Sequence, residues 1–158
     1  MKFNCDTIVI GSGPAGLAAA VAAAEAGDRV IVLEQLSTPG RKLLASGGGR
    51  CNVTNILAPR EMAAAFGKAE RFVRHALYSR DSRALRNFFE EQGIPLEVTD
   101  GFHCFPRSGK AKDILDALWE YARSMGAEMV TSCRAERLLI SDGVISGVRT
   151  GHSGRHSA

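Results

Sequence analysis

The sequence predicts an α/β fold that starts with a parallel βαβ unit. Residues 5–10, CDTIVI, form a short apolar run rich in β-branched side chains, which is typical of a buried strand. A glycine-rich turn over 11–16 leads into an alanine-dense helix at 15–26, which Gly27 ends. A second apolar run, RVIVLE at 29–34, predicts the next strand, and the whole segment has the length of one βαβ unit.

The rest of the chain predicts alternating helices and short strands. Residues 59–92 indicate three helical pieces, the last of which has an Asp81 cap and is closed by Gly93. Residues 94–105 predict two strands around a turn at Asp100–Gly101, and AEMVTS at 127–132 predicts another. A hairpin turning at Asp142–Gly143 follows. The clearest amphipathic helix lies within 108–126, and its apolar face consists of Ile114, Leu115, Leu118, Tyr121 and Ala122.

Composition and charge exclude several classes of protein. The chain has 158 residues, which is the size of one domain. Its 20 Lys and Arg against 17 Asp and Glu give a net charge of +3, too weak to indicate a nucleic-acid partner. The four cysteines lack the spacing of metal ligands or of a redox pair, which favours free thiols in a reducing compartment: Cys5, Cys51, Cys104 and Cys133.

The apolar N-terminal segment does not have the pattern of a targeting or membrane sequence. Residues 8–24 are apolar or small, but three glycines and Pro14 interrupt them, and Asp6 stands where a signal peptide would be basic. A membrane helix needs about 20 strongly apolar residues, whereas half of these are alanine or glycine. We therefore expect a cytoplasmic protein without a membrane partner.

The first motif is a dinucleotide-binding fingerprint. Gly11, Gly13 and Gly16 have the GxGxxG spacing directly after the first strand, and Glu34 ends the second strand. Gly11 permits the tight turn, Gly13 lets a pyrophosphate approach the backbone, and Gly16 lets helix and strand pack closely. The helix N-terminus offers N–H groups to the phosphates, and the Glu34 carboxylate accepts hydrogen bonds from an adenosine ribose. The same carboxylate repels a 2′-phosphate, which disfavours NADP here.

The second motif, GRKLLASGGGRCNVTN at 40–55, follows the second strand. Arg41, Lys42 and Arg50 bring positive charge to the edge of the sheet where ligands bind in open α/β folds. The glycines at 47–49 can present successive N–H groups to an anion, and Asn52 adds an amide. The stretch is no Walker A loop, because no GK[ST] follows at the required interval. A flexible linker would carry serine or acidic residues instead.

Together these motifs resemble a known family. GRKLLASGGGRCNVTN after a GxGxxG–Glu unit is similar to the signature of bacterial flavoproteins known as BaiN-like or aminoacetone-oxidase-like FAD-binding enzymes. CFPRSGKAKDILDAL at 104–118 resembles a second segment of that family, and the resemblance covers essentially 5–150. It implies an α/β, Rossmann-like FAD-binding fold of glutathione-reductase type with a hairpin from its β-meander. It also implies FAD as cofactor and redox chemistry on a small substrate with NAD(P)H or oxygen as electron partner.

The resemblance places the cofactor residue by residue. It implies that the pyrophosphate lies against Gly11, Ser12, Gly13, Pro14, Ala15 and Gly16. Glu34 would bind the adenosine ribose, with Gln35 beside it, while Arg41 and Lys42 would flank the ADP half. The backbone of Ala135 would contact adenine. The phosphates or the flavin ring would lie near Gly47, Gly48, Gly49, Arg50 and Asn52. Arg50 is hypothesised to tune the flavin electronics. No catalytic residue or metal ligand is predicted.

Family members are more than twice as long as this chain. They continue with an ATGG-like strand, a substrate domain and a C-terminal segment that closes over the flavin. The expected organisation is therefore the N-terminal part of a FAD-binding domain at 1–150 and an unstructured tail at 151–158, with the fold incomplete. Without the ATGG-like strand, the first strand is expected to have an open edge, and the isolated chain is expected to bind FAD weakly.

Two other functions are compatible with the residues alone. One is a nucleotide- or RNA-binding module without redox activity, which would use the arginines at 71–86, although acidic residues interleave with them. The other is a truncated, inactive product. The leading expectation remains the FAD-binding part of a flavin-dependent oxidoreductase that acts on a small molecule and has no nucleic-acid partner.

Overall fold

The computed structural model describes residues 4–152. Within them the chain forms two compact units. The first unit comprises 4–43 and 118–152, and the second comprises Leu44–Ala117. The strands are β1 Thr7–Ile10, β2 Val30–Leu33, β3 Thr54–Asn55, β4 Leu96–Thr99, β5 His103–Pro106, β6 Glu128–Val130, β7 Cys133–Ser141 and β8 Val144–His152. The α-helices are α1 Pro14–Glu25, α2 Arg41–Ala45, α3 Pro59–Ala65, α4 Glu70–Ser79, α5 Ser82–Glu91 and α6 Ala111–Ser124. Short 3₁₀ turns lie at Ser46–Gly49 and Gly67–Ala69.

The first unit contains the predicted βαβ unit. Its parallel sheet has the order β1-β2-β6, so β1 lies at an edge of this sheet within the described residues. All four residues of β2 are buried. Helix α1 buries one face, which consists of Leu17, Ala20, Val21 and Ala24. The small alanines let this helix approach the sheet closely, as the sequence predicted.

The amino-terminal ends of β1 and β2 are tied together by polar side chains. Two guanidinium nitrogens of Arg29 donate to the two carboxylate oxygens of Asp6 at 2.8 and 2.9 Å. The Thr7 hydroxyl donates to Asp28 at 2.5 Å. These contacts fix the register Thr7↔Val30 at the start of the parallel pair.

The hairpin of β7 and β8 completes the first unit. Its turn, Asp142–Gly143, has positive φ angles of 52° and 78°, which is the backbone that a two-residue hairpin requires. Ile31, Leu33 and Cys133 form a buried cluster on which Val148 of β8 also packs. The boundary predicted at 150 is wrong by two residues, because Gly151 and His152 pair with Arg134 and Cys133. The rest of the predicted tail, 153–158, lies outside the described residues.

The second unit has an antiparallel sheet of order β3-β5-β4. Asp100 and Gly101 make the predicted turn between β4 and β5, with φ angles of 52° and 72°. Asp81 caps α5 by accepting a hydrogen bond from the N–H of Ala84 at 2.7 Å, also as predicted. Helix α6 begins in this unit and ends in the first one. The residues predicted for its apolar face are buried, apart from Tyr121, which is half-buried.

Candidate functional site

The carboxyl ends of β1 and β2 surround a cavity of about 510 Å³. Gly11 and Gly13 line it from the β1–α1 turn, and Glu34 lines it from the end of β2. This volume is within the range of ~300–1,000 Å³ that is typical of small-molecule sites. Of the residues predicted to bind a cofactor, seven line this cavity: Gly11, Gly13, Glu34, Gln35, Arg41, Lys42 and Ala135.

The glycine turn leaves bare backbone on the cavity side. A Cβ added at Gly11 or Gly13 would have no protein atom within 4 Å, so a side chain there would occupy open space. Gly11 has a φ of 97°, which only glycine adopts readily. Gly16 differs, because an added Cβ would lie 2.0 Å from the carbonyl oxygen of Gly11. The first two glycines thus clear room for a ligand, whereas Gly16 permits close packing.

Helix α1 presents its N-terminus beside this turn. Its cap residue, Gly13, makes no side-chain capping hydrogen bond, and the first turn holds no acidic residue. The N–H groups of a first helical turn have no carbonyl partner within the helix, and the helix dipole places partial positive charge there. Pro14 and Ala15 are exposed at the start of this helix and are not among the residues that line the cavity. The arrangement fits a diphosphate.

The carboxylate of Glu34 is buried and accepts hydrogen bonds from nearby groups of the chain. Its Oε2 accepts hydrogen bonds from the N–H and the hydroxyl of Ser12 at 2.9 and 2.5 Å. Its Oε1 accepts one from the N–H of Leu36 at 2.8 Å. Burial raises the pKa of Glu34, but these hydrogen bonds, led by that of the Ser12 hydroxyl, outweigh it and lower the pKa below its ordinary value. Glu34 is therefore an anion at neutral pH.

The side chain of Ser12 is turned away from the open side of the glycine turn. Its side chain is fully buried and bonds Glu34, so it is not available to a pyrophosphate. The hydroxyl oxygen also accepts a hydrogen bond from the N–H of Gly40 at 3.2 Å. This side chain therefore links the β1–α1 turn to the end of β2 and to Gly40, and the contact of Ser12 with a pyrophosphate stays a prediction.

The cavity also has lining residues that the motifs did not indicate. Arg134 adds a third cation beside Arg41 and Lys42, and Cys133 lines the cavity as well. Strand β6 pairs with β2, and the N–H of Cys133 donates to the carbonyl of Glu34 at 2.8 Å. The sequence could have indicated Arg134, because ligands bind at the carboxyl ends of parallel strands and this residue comes shortly after β6, the third strand of the sheet.

The three consecutive glycines of the second motif, at 47–49, lie in the second unit. Gly47, Gly48 and Gly49 all have positive φ angles, of 56°, 67° and 86°. A Cβ on Gly47 would lie 3.0 Å from both the Asn52 nitrogen and the Phe105 ring, so this position has no room for a side chain. The N–H group of Arg50 donates a hydrogen bond to the carbonyl of Gly47, and that of Cys51 donates one to the carbonyl of Ser46.

Arg50 lies on an aromatic side chain. Its guanidinium carbon is 4.4 Å from the centre of the Phe105 ring, which is the geometry of a cation–π contact. Phe105 itself is buried. The nearby Cys51 is also buried, and this burial raises the pKa of its thiol, so the thiol is unreactive at neutral pH.

Two features are absent from the part of the chain that the structure describes. No helix between residues 4 and 152 is long and apolar enough to cross a membrane. The same part of the chain holds no cluster of His, Cys, Asp and Glu side chains suited to a metal ion.

The fold and the cavity define a Rossmann-type dinucleotide-binding domain. The family described as "HI0933-like protein Rossmann domain" matches residues 5–158, so the chain belongs to this family. The family consists of FAD-dependent oxidoreductases, and FAD is its cofactor. The fold, the family and the cofactor that the sequence predicted are confirmed.

Individual relatives share about a third of their length with this chain. The chain is 34% identical over 135 residues to the 3-dehydro-bile acid delta(4,6)-reductase of Clostridium scindens, covering 84% of this chain and 32% of the relative. It is 32% identical over 131 residues to the ribosomal RNA dihydrouridine synthase of Haemophilus influenzae, covering 82% and 32%.

A solved structure shows the same fold. The 3-ketosteroid-delta4-(5alpha)-dehydrogenase from Rhodococcus jostii RHA1 superimposes with a TM-score of 0.73 at 22% identity, covering 98% of this chain and 43% of that one.

Proposed function

We propose that this chain holds the ADP half of FAD in the cavity of its first unit and serves as the FAD-binding part of an oxidoreductase. The observation that carries the proposal is the cavity between the open glycine turn and the buried carboxylate of Glu34. The turn and the α1 N-terminus would bind the diphosphate, and Glu34 the adenosine ribose. When bound, FAD supplies two-electron redox chemistry through its isoalloxazine ring.

The cations around the cavity serve the same ligand. Arg41, Lys42 and Arg134 would attract the anionic cofactor and offset the charge of its diphosphate. Glu34 opposes a 2′-phosphate, since a second anion beside this buried carboxylate costs free energy. NADP is therefore not the ligand that we propose for this cavity.

We further propose that the whole enzyme reduces an unsaturated carbon–carbon bond in a small molecule, with NAD(P)H as the electron donor that reduces the flavin and with oxygen able only to reoxidise the reduced flavin. The names of the two relatives support the reductive direction, because one is a delta(4,6)-reductase and the other forms a dihydro product. An RNA-binding module without redox activity is not favoured, since the family is enzymatic.

Ligand competition tests the cofactor site. The purified chain is titrated with FAD by flavin fluorescence, and the bound FAD is then displaced with ADP. We expect ADP to compete and FMN, which lacks the ADP half, to bind at least ten-fold more weakly than FAD. Adenosine 2′,5′-bisphosphate is the control for rejection of a 2′-phosphate. The proposal is wrong if FMN binds as tightly as FAD, or if ADP displaces nothing at millimolar concentration.

Anaerobic reduction tests the electron partner. FAD-loaded protein is mixed with NADH or NADPH without oxygen, and the visible absorbance of the flavin is followed. Bleaching identifies a nicotinamide donor, and recovery after air is admitted identifies oxygen as an acceptor. If neither NADH nor NADPH bleaches the flavin, and air does not restore the absorbance of flavin that has been reduced with dithionite, the proposed electron partners are wrong.

A further inference from the structure

Ser12 joins the two loops that form the wall of the cavity. It lies between the two glycines that are open to the ligand, yet its own side chain is fully buried. Its hydroxyl donates to Glu34 at 2.5 Å and accepts from the N–H of Gly40 at 3.2 Å. The hydroxyl therefore uses both its donor and an acceptor position within the protein.

These contacts restrain the Glu34 carboxylate at one oxygen. Ser12 supplies two donors to Oε2, one from the main chain and one from the side chain. Hydrogen bonds to a charged acceptor are the stronger ones, so they hold the carboxylate in one orientation. Removal of the hydroxyl would leave Oε2 with one of these two donors and would leave the Gly40 N–H without its acceptor.

We propose that Ser12 is a positioning residue whose buried hydroxyl orients the Glu34 carboxylate and the Gly40 loop for recognition of the cofactor's ribose hydroxyls. This inference rests on the proposed function, because it assumes that Glu34 faces the adenosine ribose in the cavity. The Ser12 hydroxyl acts through Glu34, because both of its hydrogen bonds stay within the protein. Its effect should therefore appear in discrimination between ribose and deoxyribose.

A ligand comparison isolates this effect. ADP and 2′-deoxy-ADP are titrated into the chain by calorimetry, and the ratio of their dissociation constants measures recognition of the 2′-hydroxyl. We expect a ratio of about ten for the unaltered chain, since a hydrogen bond to a charged group contributes roughly that factor. Ser12→Ala should bring the ratio close to one. Ser37→Ala, which changes an exposed serine of the loop after β2, should leave it unchanged.

Other results of this titration would overturn either the inference about Ser12 or the proposed function. Equal weakening of both ligands in Ser12→Ala, with the ratio kept, would show a purely structural role and overturn the inference. Tighter ADP binding by that variant would show that Ser12 competes with the ribose, which also overturns it. If the unaltered chain binds neither ADP nor FAD, the proposed function itself fails.

A second variant and a ligand-free measurement guard against a folding defect. Ser12→Cys keeps the shape of the side chain with a slightly larger atom and donates only weakly, so it should also lower the ratio while circular dichroism stays that of the unaltered chain. Carbon NMR of the Glu34 carboxyl group should show its pKa rising in both variants. An unchanged pKa would overturn the inference whatever the binding data show.

Discussion

The Ser12 hydroxyl donates a 2.5 Å hydrogen bond to Glu34 across 22 residues of sequence. It joins the turn after β1 to the end of β2, both of which lie at the cavity that we propose for the cofactor. Here one buried contact couples the glycine turn to the acidic residue.

Gly13 should be needed for the ligand and not for the fold. Its backbone is extended, with φ −72° and ψ 176°, and a Cβ there would meet no protein atom within 4 Å. Gly13→Ala should therefore keep the melting temperature while weakening FAD and ADP binding at least ten-fold, because the methyl group enters the diphosphate position. Gly147→Ala, in the hairpin, is the matched control, since its Cβ would make an ordinary 3.7 Å contact. Unchanged affinity in Gly13→Ala would contradict the placement of the diphosphate.

Gly16 should be needed for the fold. A Cβ at this position would lie 2.0 Å from the Gly11 carbonyl oxygen. Gly16→Ala should lower the free energy of unfolding by about 3 kcal/mol, as overpacking does. Without this clash, the same change inside a helix would raise stability by ~1 kcal/mol. Urea unfolding shows whether Gly16→Ala lowers or raises the free energy of unfolding. A stabilised variant would show that the helix and the turn are not in contact.

The ionisation of Glu34 should make the free energy of unfolding depend on pH in the acidic range. Its pKa in the folded chain is below the ordinary value of 4.5, so between those two values the unfolded chain binds more protons. The stabilisation by Glu34 is thus complete above pH 4.5 and is lost as the pH falls through the folded-state pKa. The difference in unfolding free energy between the unaltered chain and Glu34→Gln should shrink over that window. Glu97→Gln, which removes an exposed carboxylate, is the control.

A pH-independent difference would show that Glu34 has the same pKa in both states. Urea unfolding at several pH values from about 3 to 7, followed by circular dichroism, gives the required free energies. The direction of the trend is the decisive observation, because it depends on the sign of the pKa shift and not on its size.

Arg50 should influence the flavin if the glycine-rich stretch approaches the cofactor. We expect Arg50→Ala to weaken FAD binding about ten-fold and to shift the visible flavin spectrum, because a cation is lost. Phe105→Leu should give part of this effect, since Arg50 lies 4.4 Å above its ring. Arg60→Ala removes an exposed arginine on α3 and is the control. If Arg50→Ala changes neither affinity nor spectrum, the hypothesis for Arg50 is wrong.

Local features of the fold followed from local sequence. The Asp-Gly turns at 100–101 and 142–143 have the positive φ angles that their residues favour, and Asp81 caps its helix as predicted. The apolar face of α6 followed from the helical period. Strand ends were less predictable, as the extension of β8 to His152 shows, because cross-strand pairing and not composition decides where a strand stops.

The sequence by itself determined the βαβ start, the glycine positions, the acidic end of β2 and, through the stretch at 40–55, the family. These features depend on steric preferences and spacing within a few residues, which a single sequence displays directly. Only the tertiary structure decided that Arg134 lines the cavity and that Ser12 is turned inward onto Glu34. Such contacts depend on which strands become neighbours and on which buried polar groups must find partners, and both are set by the packed chain.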